Sequence, residues 1–164
     1  LARVTEIETL PILWLRESYR GFSLTHISDE MVEGRPDKEG GERVRVVTLL
    51  YGSCNPANSL EPSCASPIQI QIIAPGLVPT PNEILAMPFN DGWSDPFIYR
   101  DVTAMTNEGG THLWLDDGTV IIVSAPFELR RAAVDGLSLA NHQKLGLSAI
   151  AEGESLLSAK ADAR

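Results

Sequence analysis

Few side chains in this chain have the chemistry to react, to ligate or to stack. They are Cys54 and Cys64, the histidines His26, His112 and His142, three tryptophans and scattered carboxylates. The two cysteines are the only thiols. They flank a loop holding Asn55, Pro56, Asn58, Ser59, Pro62 and Ser63, between two strand-like runs. That setting suits a Cys54–Cys64 disulfide closing a hairpin loop, worth about 2.5–3 kcal/mol in the chain-entropy account of so short a loop. Such bridges persist in oxidising compartments, so the pair predicts an exported, extracytoplasmic protein. A zinc site needs four ligands, and the sequence has no Cys-x-x-Cys and no histidine pair at metal spacing. Nor does the pair have the close spacing of a catalytic dithiol.

The remaining groups do not form a recognisable catalytic set. The histidines fall in three separate stretches, and His112 sits among strand residues beside Trp114, where a packed imidazole with one backbone hydrogen bond is expected. Asp29-Glu30 and Asp116-Asp117 are adjacent in sequence, so on a strand their carboxylates would diverge. There is no Gly-x-Ser-x-Gly elbow, P-loop or Gly-x-Gly-x-x-Gly turn. No catalytic residue, cofactor or metal is therefore predicted. The segment Asn90-Asp91-Gly92-Trp93-Ser94-Asp95 offers oxygen donors, but it lacks the EF-hand spacing and its closing glutamate. Its tryptophan either folds back to cap the core or serves as a stacking and interface residue. In the second case Trp93, with Asp91, Asp95 and Tyr99, is a candidate small-ligand or carbohydrate site.

Charge narrows the partners. The net charge of −9 disfavours binding to nucleic acid or to anionic lipid, and Arg130-Arg131 is the only basic doublet. No apolar run is long enough to span a bilayer as a helix. A hydrophobic fraction of 43% with 21% charged residues fits a folded domain with a real core. A chain opening on Leu1 suggests removal of an N-terminal signal or anchor, or a fragment.

The elements that must position these groups read as strands first. Residues 22–27, 43–51 and 68–73 alternate, with Ile68, Ile70 and Ile72 on one face and Gln69 and Gln71 on the other. Thr80, Pro81 and Glu83 spell a capping box for a short helix that Pro88 stops. Residues 97–106 read as one strand. The run 111–115 and the run 119–123 read as a hairpin about a two-residue Asp117-Gly118 turn, pairing Leu115 with Val120 and Trp114 with Ile121. Pro126 opens a helix with Leu129, Ala133, Leu137 and Ala140 along one stripe.

The predicted class is α+β: mainly antiparallel sheet built from hairpins and packed by one or two C-terminal helices. Residues 1–146 form one domain in this reading, and 147–164 form a helical tail docked on a partner or a neighbouring copy. The function these features favour is a non-enzymatic, exported structural or interaction subunit whose partners are other proteins or copies of itself. Two alternatives remain: the ligand module around Trp93, and a hydrolase or metal-dependent enzyme using His112 or His26.

Overall fold

The computed structural model describes residues 10–35, 42–53, 66–90 and 92–139. Over these residues the chain is mostly antiparallel β-sheet with two short helices. In chain order the elements are β1 Leu13–Trp14, β2 Ser18–Tyr19, β3 Phe22–Glu33, β4 Arg43–Tyr51, β5 Ile68–Ile73, α1 Pro81–Leu85, β6 Phe97–Tyr99, β7 Val102–Thr106, β8 Thr111–Trp114, β9 Val120–Ser124, α2 Phe127–Asp135 and β10 Ser138–Leu139. Eight strands form one sheet in the order β2-β3-β4-β5-β9-β8-β7-β6, and β1 pairs with β10.

The strands on either side of the cysteine loop are neighbours, with Tyr51 opposite Ile68. Cys54 and Cys64 themselves lie outside the described residues, as do His142, Asp91 and the segment 147–164. Ile68, Ile70 and Ile72 are fully buried, while Gln69 and Gln71 are half-buried on the opposite face. Period-two alternation places every second side chain inside.

One face carries the main core: Val47, Leu49, Tyr51, Ile68, Ile70, Ile72, Ala104, Leu113, Ile121 and Val123. Ile12, Leu13 and Leu15 from the β1 segment, with Ala133, Val134 and Leu137 around the end of α2, cover it. The other face has a smaller cluster under α1, made of Ile84, Met105, Trp114 and Val120 with Val78, Trp93 and Ile122 beside it. The capping box on α1 is present in full.

The sheet does not lie flat. Flat, its end strands β2 and β6 would stand about 33 Å apart. Yet Tyr19 on β2 donates to the Ala132 carbonyl at 2.5 Å, and Tyr99 on β6 donates to Asp135 of the same helix. These two positions are one helical turn apart, about 5 Å. The sheet therefore coils until both of its ends face α2.

Three expectations need correction. Residues 97–106 are not one strand but the hairpin β6-β7, which turns at Arg100 and Asp101 with φ of 47° and 65°. Two consecutive left-handed residues make a primed turn, and Arg-Asp gives no glycine or asparagine signal for it. The β8-β9 register is Leu113 opposite Ile121 and Trp114 opposite Val120, one residue away from the expected pairing. Here Asp116, Asp117 and Gly118 all belong to the loop: the Gly118 N–H closes a turn on Leu115, Gly118 takes φ 85°, and Leu115 bonds Thr119. A turn followed by a left-handed glycine is the three-residue hairpin with a bulge. Finally, α2 ends at Asp135 with Gly136 as its C-cap, and it buries Ala133 and Val134.

Candidate functional site: an aromatic and cationic groove beside the end strand

Helix α2 lies against the β6 end of the sheet with an open groove between them, about 760 Å³ in volume. From the helix come Phe127, Glu128, Arg130, Arg131 and Val134; from the strands come Phe97, Ile98, Tyr99, Thr106 and Thr111. Phe127, Arg130, Arg131 and Val134 are spaced i, i+3, i+4, i+7, which lines them along one side of a helix. Phe97 and Tyr99 stand opposite Ala104 and Val102, on the face that α2 covers. Ile98 pairs with Thr103 on the opposite face and meets the groove at its rim.

The groove's cations are fixed in different ways. Arg130 spends its guanidinium on three main-chain oxygens: Nε donates to Ala125 at 3.3 Å, Nη1 to Asn107 at 2.9 Å and Nη2 to Glu108 at 3.0 Å. This ties α2 to the β7-β8 turn and leaves the charge of Arg130 without a carboxylate partner among the described residues. Arg131 is exposed and carries no ion pair among the described residues. It is near enough to Tyr99 to favour the phenolate. Burial and the hydrogen bond to Asp135 outweigh it, and the Tyr99 hydroxyl is pushed up to about 12. Arg100 reaches the Asp135 carbonyl at 3.1 Å, so the β6-β7 turn is pinned to the end of α2.

The rim is apolar and open to water. Phe127 is 85% exposed, Ile98 70% and Phe97 40%. Three bulky side chains gathered around one depression are unusual on a lone domain surface and mark sites of association. A separate exposed set, Leu85 at the end of α1 with Met87 and Phe89 just after it, lies on the opposite face of the sheet.

No protein-family model, curated protein or solved structure matches this chain.

Of the candidate binding residues, Tyr99 and Trp93 do not converge. Tyr99 lines the groove, whereas Trp93 folds back onto the other face. Its indole meets His112 edge-on with ring centroids 4.6 Å apart and lies 6.4 Å from Trp114. The segment is held by Ser94, whose N–H donates to the Thr106 carbonyl at 2.8 Å while its hydroxyl accepts from the Thr106 N–H at 2.9 Å. Asp95 is exposed, and Asp91 lies outside the described residues.

His112 is buried against both indoles, stacked on Trp114 at 5.8 Å, and its Nδ1 has no hydrogen-bond partner among the described residues. Burial holds its pKa down to about 4 against the opposing pull of the Gly110 carbonyl, and the charge of Arg130 adds a smaller downward push. This imidazole is neutral at pH 7. His26, on β3, is separated from it in the sheet by β4, β5 and β9. Among the described residues, no three His, Cys, Asp or Glu side chains gather at metal-binding distance.

The groove residues Phe127, Arg130 and Arg131 were not read as a site from the sequence. Two signals for them existed. Phe127 falls off the stripe defined by Leu129, Ala133 and Leu137, and the Arg130-Arg131 doublet is the only one in an acidic chain. Neither points to a groove without knowing that β6 folds back beside α2.

Proposed function

We propose that this chain is a non-enzymatic, exported interaction subunit of a larger assembly, and that the groove between α2 and β6 is where it meets another protein. The observation that carries this reading is the exposure of Phe127, Ile98 and Phe97 around a single groove. A small ligand is normally enclosed by its pocket, with most of its surface buried. Here the largest apolar groups stand at the rim, where only a partner with an extended surface would cover them. Aromatic groups with a neighbouring arginine are the composition of interface hot spots. The second apolar set at Leu85, Met87 and Phe89 supports a subunit contacted from two sides.

The experiment is a mass measurement by light scattering on protein isolated from its source under native conditions. The expected mass exceeds the 17.8 kDa of one chain. Phe127→Asp, at an exposed position, should release the folded monomer. A monomer for the unaltered protein would remove this reading.

A further inference from the structure

The groove sits beside the last strand of the sheet, and that strand has no neighbour on its outer side among the described residues. In β6-β7 the two-residue turn makes Tyr99 and Val102 the closing hydrogen-bonded pair. Antiparallel ladders alternate, so the N–H and C=O of the preceding residue, Ile98, point outward. A free strand edge of this kind accepts an added strand, and side-chain pockets beside it set which sequence is taken.

The pockets here have a definite chemistry. On the α2 side, the next side chain of an added strand would enter between Phe97, Tyr99 and Phe127, below Arg131. On the other side, its neighbour would rest on Ile98. The cationic side is an exception within an acidic protein: residues 91–125 hold six acids (Asp91, Asp95, Asp101, Glu108, Asp116 and Asp117) against Arg100 alone. The helix brings Arg130 and Arg131 to that acidic unit, and among the described residues Glu128 is the single carboxylate lining the groove. Arg131, with no ion pair among the described residues, favours an anion, and the aromatic walls favour a bulky apolar group.

We propose that the occupant is an extended segment of a partner protein that carries bulky apolar side chains next to an aspartate or glutamate, laid along the free edge of β6 with its carboxylate on Arg131. This rests on the reading of the groove as a protein interface and adds the partner's chemistry to it.

The test selects a displayed random peptide library on the intact chain and measures synthetic versions of the enriched peptides by fluorescence anisotropy. Peptides pairing an acid with Leu, Ile, Phe or Trp are expected. Their affinity should fall about tenfold or more with Phe127→Ala and about fivefold or more with Arg131→Glu, both at exposed positions, and should weaken severalfold with added salt. Apolar peptides that lack acids and ignore Arg131→Glu, but still need Phe127, would overturn the acidic partner and leave the groove as an interface. Enriched peptides indifferent to Phe127→Ala, or no enrichment, would overturn both. Binding of the chain to vesicles of anionic phospholipid, lost in Phe127→Ala, would also overturn the proposal in favour of a membrane surface.

Discussion

Tyr19 and Tyr99 stand on the two end strands of an eight-stranded sheet, yet their hydroxyls bond the same turn of α2, at Ala132 and Asp135. The helix thus bridges the two sheet edges, and it holds one wall of the groove against the other. Removing either hydroxyl should cost about 1 kcal/mol, the usual net worth of such a bond. Tyr99→Phe should also raise hydrogen exchange in β7, the strand that β6 pairs with, by loosening the edge hairpin. Urea titrations with exchange mass spectrometry measure both. Unchanged stability and exchange in Tyr99→Phe would show that α2 does not anchor β6.

Gly136 belongs to the same bridge. A Cβ there would lie 2.8 Å from the Tyr19 ring and 3.0 Å from Leu15. Its φ of −83° is ordinary, so the demand is for space rather than for backbone freedom. Gly136→Ala should therefore destabilise by about 1–3 kcal/mol through overpacking, despite alanine's better helix propensity. A stabilised Gly136→Ala variant in thermal unfolding would contradict the close approach.

His112 makes the fold sensitive to acid. Its pKa is held near 4 in the folded chain, below the ordinary 6.5, so the unfolded chain takes up the proton first. The contribution is complete above pH 6.5 and is lost as pH falls towards 4, by roughly 2–3 kcal/mol. His112→Phe removes the titrating group and the unpartnered Nδ1. The slope of stability against pH between 4 and 6.5 should flatten in that variant. An unchanged slope would show that His112 is not the buried neutral group.

Tyr51 anchors the chain entry into the core. Its hydroxyl accepts from the Leu15 N–H at 2.9 Å and donates to the Arg16 carbonyl at 3.1 Å, where Arg16 is left-handed at φ 62°. Tyr51→Phe leaves a buried N–H without its acceptor, at a cost of about 1–3 kcal/mol. Burial pushes this phenol up to about 12. Its stabilising contribution is present below pH 10 and is lost as pH rises from 10 towards 12. Ultraviolet titration should find Tyr51 ionising near the upper figure in the folded chain and not in urea. Loss of less than about 0.5 kcal/mol in Tyr51→Phe would argue against both bonds.

The sequence was most legible where the physics is local. Alternation located β4 and β5 and the buried face of β5, and Thr80, Pro81 and Glu83 identified α1 down to its capping box. The Glu83 carboxylate is held down to about 2, chiefly by the Thr80 N–H and then its hydroxyl. Turn geometry was less legible. Arg100-Asp101 adopts a turn that its residue types disfavour, because both flanks are held by pairing and by Arg100 on Asp135. Asp117-Gly118 matches two hairpin types, and only the loop hydrogen bonds select the longer one. The groove was illegible for a different reason. Its walls are about thirty residues apart in sequence, at Phe97 and Phe127, and meet only because the sheet coils.

The most direct test of the interaction-subunit account is site-specific photo-cross-linking from the groove. Replacing Phe127, and separately Ile98, with p-benzoylphenylalanine preserves bulk at exposed positions, and irradiation under native conditions traps whatever lies within reach. Exposed Ser53, away from the groove, is the control. The account predicts a discrete protein adduct from 127 and 98 and none from 53, with the cross-linked peptide mapping to one segment. Absence of adducts at 127 and 98, or equal adducts at 53, would contradict it.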